Sequence, residues 1–186
     1  MLAAVMRLLL LLCTSFLALA VPSFAESVDL GSHGQLKLQV PEGWDLQSQK
    51  VGDIGANLTL RPKSEVNAAC KVTIAFIEQA EGVSAEDQEK RFVQVTTGFA
   101  KGSVEQKTEV QRLRLKSGFG FYACFTDPAL VGKPSEPRNY KVMAPGMIVL
   151  SKEVLLSVTL FTDDKASKEL ADLVKMLESV VLENTL

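Results

Sequence analysis

Val154-Leu-Leu-Ser-Val-Thr-Leu-Phe161 is the most apolar strand-like stretch of the chain, and its reading decides the fold. A strand this apolar belongs at the centre of a sheet. Met147 to Leu150 precede it across Ser151-Lys152-Glu153, which reads as a hairpin. Asp163 or Asp164 then stands where a helix needs an N-cap. Leu170, Leu173, Val174, Leu177, Val180 and Val181 follow at helical spacing and form one broad apolar face. This helix is expected to lie across the sheet.

Working back toward the N-terminus, Cys70, Val72, Ile74 and Phe76 share one face of a second strand. Thr73, Ala75 and Ile77 face the other way and are not strongly polar, so helices are expected on both sides. Ser84 opens a helix, with Asp87 at capping-box spacing and Glu86, Asp87 and Glu89 near the positive end of the dipole. Phe92, Val95, Thr96 and Phe99 form its expected buried stripe, and Gly102 ends it. Upstream, Leu36, Leu38 and Val40 alternate with Lys37 and Gln39 in a strand that stops at Pro41-Glu42-Gly43. Trp44, as a plug at the edge of the core, and Leu46 begin another strand. Gly52 and Gly55 bracket a hairpin turn, and Asn57 to Arg61 form a strand ended by Pro62.

Between the helices, Glu109 to Phe125 returns to a period of two. Phe119, Phe121, Ala123 and Phe125 share one parity, and a register change is expected near Gly118 or else a helix covering that end. Asp127 to Tyr140 carries Pro128, Gly132, Pro134 and Pro137 and reads as a long surface loop. Lys141 to Met143 is a short strand closed by Pro145-Gly146.

The first 25 residues read as an export signal. Arg7 gives a positive start, Leu8–Leu12 and Phe16–Val21 the apolar core, and Ser23-Phe24-Ala25 the small residues at a cleavage site. The apolar segment, about 14 residues, is too short to cross a bilayer comfortably. Leu12 precedes Cys13 where a lipobox needs a small residue, so no lipid anchor is expected, nor any transmembrane anchor after cleavage. The division is therefore 1–25 signal peptide and 26–186 a single α+β domain, placed in the periplasm or secreted. Cys70 and Cys124 then remain, and in an oxidising compartment they are expected to form one disulfide. Two free buried thiols are the alternative, and the lack of a CxxC argues against a redox site.

The order is strand, strand, strand, helix, a run of strands, then a helix. With Leu38-Gln-Val-Pro-Glu-Gly-Trp44, the Cys70–Phe76 strand, the Ser84 helix and Val154–Leu182, it resembles the Mog1/PsbP/DcrB-like α/β/α sandwich family. The resemblance implies an antiparallel β-sheet flanked by helices. It also implies an accessory role of the kind held by a subunit of the photosynthetic oxygen-evolving complex, a nuclear-transport regulator and bacterial envelope proteins. No residue set here carries over a Ran-binding or manganese-cluster role.

Twenty Lys and Arg against 22 Asp and Glu leave no basic field for nucleic acid. His33 is the single histidine, in the flexible Gly31-Ser-His-Gly34 stretch, and is expected to be exposed. One histidine and two cysteines build no zinc site, and no phosphate-cradling glycine motif occurs, so no cofactor or metal is expected. Asp127, Asp163 and Asp164 are the carboxylates a hydrolase would use, although helix capping explains the last two. Arg112, Arg114 and Lys116 form a cationic stripe at a two-residue period, a possible surface for an anionic partner. Lys107, Lys133, Arg138 and Lys141 lie near it in sequence, and Glu105, Glu109 and Glu136 balance it.

The leading expectation is an exported non-catalytic accessory or interaction protein with an envelope protein as partner. A binding module for a small apolar or anionic ligand is the alternative, resting on Phe119, Phe121, Phe125, Met143 and Met147 near the long loop. A carboxylate-based hydrolase is the third.

Overall fold

The structure, a computed structural model, describes residues 24–77 and 84–183. The expected signal therefore lies outside the described residues, apart from Phe24 and Ala25. Those two open β1 (Phe24–Asp29), which pairs antiparallel with β2 (Gln35–Val40). Then come β3 (Trp44–Lys50), β4 (Gly55–Pro62) and β5 (Ala69–Phe76), and helix α1 (Ala85–Lys101). Short strands β6 (Gln111–Arg112), β7 (Phe119–Tyr122) and β8 (Phe125–Thr126) precede β9 (Val142–Val149) and β10 (Val154–Thr162). Helix α2 (Lys168–Glu178) and β11 (Val181–Glu183) complete the order.

The large antiparallel sheet runs β3-β4-β5-β10-β9-β7-β6, with β8 beside β9. β10 is central, as its composition demands. Its dry parity carries Val154, Leu156, Val158 and Leu160, which meet Ile74, Val72 and Cys70 on β5 and Ile148 and Ala144 on β9. Over this face lies α2, through Leu170, Leu173, Met176 and Leu177. Beside α2 sits the small sheet β1-β2-β11, contributing Leu36, Leu38 and Val40 to the same core. Trp44 is buried in that core as expected.

Several expectations change at the element ends. The α2 N-cap is Ser167, whose Oγ accepts the Leu170 N–H at 3.2 Å, and not Asp163 or Asp164. The helix stops at Glu178, so Val181 leaves the helical face and joins β11 against Lys37. β9 runs straight through Pro145 and Gly146 instead of ending there. The Pro145 carbonyl accepts the Ala123 N–H at 3.1 Å, so its missing donor faces the same edge. The ladder fails at that point and splits β7 from β8. Gly118, at φ 76°, lies so close to β9 that a Cβ would meet the Val149 carbonyl oxygen at 2.1 Å. The turn it belongs to sets Arg112 opposite Phe121, so parity changes across the hairpin as anticipated.

Helix α1 covers only the β7–β9 flank of the opposite face. Ser84 caps it, accepting the Asp87 N–H at 3.1 Å while donating to the Asp87 carboxylate. Its buried side is a narrow strip of Gln88, Phe92, Thr96 and Ala100, packed on Phe121, Ala123 and Phe125. Val95 and Phe99, expected inside, are 72% and 48% exposed. The remaining part of this face is open and polar, with Asn57, Lys71, Thr73 and Ser157 exposed, so β5 is covered on one side only.

The expected disulfide is also overturned: Cys70 and Cys124 are both free. Cys70 is on β5, whereas Cys124 follows β7 beside β9, with β10 between. Three strand spacings separate them, about 14 Å, against less than about 7 Å between Cα atoms for a bridge. Burial pushes the Cys70 thiol far up and the Cys124 thiol up to about 11.

Two measurements check this packing. Leu173→Ala, at a fully buried site, should cost about 2–5 kcal/mol in urea denaturation, whereas Val95→Ala should change stability by less than about 0.5 kcal/mol. Alkylation in denaturant without reductant should label Cys70 and Cys124 together. A mass two hydrogens lighter and unlabelled would contradict the strand order.

Candidate functional site

The narrow footing of α1 leaves a groove of about 530 Å³ between its C-terminal half, β8, β9 and the loop 127–141. Phe99 forms one wall, its ring 6.1 Å from that of Phe125 beneath. Tyr140 and Phe161, with ring centroids 5.1 Å apart, form the other, and Met143 contributes between them. Arg138, Lys141 and Asp127 bring charge to it.

The loop wall is held by a polar network. Asp163 Oδ1 accepts from Asn67 Nδ2 at 2.9 Å and from the Lys141 N–H at 3.4 Å, and the Ser135 hydroxyl donates to its other oxygen. Asn67 Oδ1 in turn accepts the Arg138 N–H at 2.9 Å. Arg138 is thereby held at φ 64°, a left-handed conformation uncommon outside glycine, asparagine and aspartate. Asp127 caps the short turn Pro128–Leu130, accepting the Ala129 N–H at 2.8 Å. Asp164 accepts the Ala166 N–H at 2.9 Å. The three carboxylates considered for hydrolysis therefore shape loops, and only Asp127 lines the groove.

Glu105 fastens the other end. Its carboxylate accepts the Thr126 N–H and hydroxyl, both at 2.8 Å, and the Lys165 ammonium at 2.6 Å. Burial raises its pKa, but these donors outweigh burial and bring it down to about 2.

The other sequence candidates lie elsewhere. Arg112 pairs with Glu89 of α1 through Nε at 3.0 Å and Nη2 at 2.6 Å. Arg114 reaches Glu178 at the end of α2, at 3.2 Å, and Lys116 is exposed in the turn beyond. The stripe is thus divided between two helices, while Lys133, Arg138 and Lys141 belong to the groove loop. His33 is half-buried and not the free loop residue expected: it stacks on Phe76 at 4.0 Å, with Nδ1 3.2 Å from Glu153 Oε2. It lines a separate small cleft of about 180 Å³ with Asp29 and Lys50. Among the described residues, no three His, Cys, Asp or Glu side chains gather as a metal site would require.

Of the residues named for ligand binding, Phe125 and Met143 line the groove, while Phe119, Phe121 and Met147 pack beneath α1. Phe99, Tyr140 and Phe161 were missed as site residues, and Arg138 was placed only among the cations near the Arg112 stripe. A signal existed for Phe99, since Phe92, Val93, Val95 and Phe99 spread round more of α1 than one core face needs.

The fold is similar to the solution structure of cyanobacterial PsbP (CyanoP) from Synechocystis sp. PCC 6803. The two share 12% identity at a TM-score of 0.50, over 92% of this chain and 99% of that one. At that identity the likeness establishes an antiparallel sheet flanked by helices and nothing of the site. No family model matches the chain, and no curated protein matches it in sequence. Among the described residues no helix is long and apolar enough to cross a membrane.

Glu105→Gln tests the fastening. The folded carboxyl, at about 2, lies below its ordinary 4.5, so its contribution is present above pH 4.5 and lost as pH falls toward 2. Denaturation at pH 7 should show the variant weaker by about 1–3 kcal/mol, with the gap closing between pH 4.5 and 2.

Proposed function

We propose that this chain is an exported, non-catalytic accessory protein of the periplasm or cell envelope that acts by binding a partner protein. Residues 1–25 serve as the cleaved signal, and residues 26–186 form the single functional domain. The observation that carries the reading is the exposed apolar pair Val95 and Phe99, 72% and 48% exposed, beside an aromatic groove. Isolated exposed apolar residues are ordinary, but an apolar ridge continuous with a groove is what interaction sites present.

A small apolar or anionic ligand is the second reading. The groove volume falls within the usual range for such sites. Its open side favours a partner that covers it from outside. The stripe of Arg112, Arg114 and Lys116 is a further surface for an anionic partner, weakened by the Arg112–Glu89 and Arg114–Glu178 pairs.

Photoreactive benzoylphenylalanine at Val95 or Phe99, illuminated in intact cells, should yield a discrete protein adduct. The same group at Gln49, on exposed β3, should not. The processed chain should begin at Glu26 and fractionate outside the cytosol. An unprocessed cytosolic chain, or no adduct at either helix position, would refute this function.

A further inference from the structure

Resting on that reading, we infer that the groove takes an acidic peptide segment of the partner that carries an aromatic or large aliphatic anchor. The apolar half of the match comes from Phe99, Phe125, Tyr140 and Phe161, whose rings form two walls over Met143. A side chain inserted between them leaves water on all sides but one, the geometry of an interface anchor.

The acidic half comes from charge. Arg138 and Lys141 line the groove, and Asp127 is the only carboxylate that does so among the described residues. Asp127 already accepts a backbone N–H in its own turn. Arg112, Arg114 and Lys165 each meet a carboxylate within the chain. The Arg138 guanidinium meets none within ion-pair range among the described residues. Its backbone is held in the left-handed region by Asn67, itself fixed by Asp163, so a part-buried polar relay maintains an unpaired cation at the groove edge. A guanidinium so placed suits a carboxylate fork.

Shape separates a peptide from a small amphiphile. Sites for small molecules enclose most of the ligand's surface. This groove is open along one side, and exposed Val95 stands one turn before its wall residue Phe99 on α1, so an extended segment seated in the groove can reach it.

The test is selection of random dodecapeptides displayed on phage against the purified chain. The enriched peptides are expected to carry Asp or Glu flanking an aromatic or large aliphatic residue. Their synthetic forms should bind about tenfold more weakly to Phe99→Ser and to Arg138→Gly, and more weakly in high salt. Arg138→Gly removes the charge at a position where glycine suits the backbone, so it should fold normally, as a melting curve would show. Enrichment of basic or uncharged peptides, no enrichment, or affinity unchanged in both variants would overturn the inference. If Val95 cross-linking in cells persists beside such a result, the accessory function stands and only the ligand class falls.

Discussion

The structure depends on one dry surface, the face of β4, β5, β10 and β9 on which α2 lies. Leu58, Val72, Val158 and Leu173 are nearly or fully buried there. Each fully buried aliphatic side chain contributes about 1.5–3 kcal/mol relative to exposure. The small sheet serves the same end, since β1, β2 and β11 extend the cover beyond the edge of α2. With the main core complete on one side, the other side is left partly open.

That asymmetry produces the groove. Helix α1 needs to cover only the phenylalanines of β7 and β8, and it does so with a strip one residue wide. Such a footing leaves its flanks outside the core, so Phe99 stands as a wall and not as a plug. Pro145 adds to the effect by ending the β7 ladder and restarting it as β8, which brings Phe125 under that wall. The opposite wall is irregular chain, which has no ladder to hold it. Asp163, Asn67 and Glu105 replace the ladder with side-chain bonds to the backbone donors of Lys141, Arg138 and Thr126.

Much of the fold was legible because period and capping are local. β10 announced itself as central, Ser84 and Gly102 bounded α1, and the parity of Phe119, Phe121, Ala123 and Phe125 held through the break between β7 and β8. Strand order was not local, and the cysteines show the consequence. Cys70 and Cys124 both pack with the core under α2, but the sequence did not show that β10 and β9 lie between them. The stripe of Arg112 and Arg114 is divided between Glu89 of α1 and Glu178 of α2 for a related reason. Its alternation presumed one continuous strand, and β6 ends at Arg112. Of the groove, Phe125 and Met143 were legible near the long loop. Arg138 was legible as a loop cation but not as a groove residue, because its placement comes from a left-handed backbone imposed by Asn67, 71 residues away.

The polar network around Asp163 also explains why a sheet this regular carries so long a connection between β8 and β9. A loop with its proline and glycine content would ordinarily sample many shapes. Here Asp127 ties its beginning to Lys141 at its end, and Asp163 takes both the Lys141 N–H and the side chain of Asn67. The entropy lost in ordering the segment is offset by bonds that reach into β10's end and the β4–β5 connection. Three separate parts of the chain therefore converge on the wall that presents Arg138 and Tyr140. Conformational freedom removed beforehand from a binding wall is freedom a partner need not remove on docking. The loop is best understood as a preorganised half of the groove, matched to a helix that the core has left half uncovered.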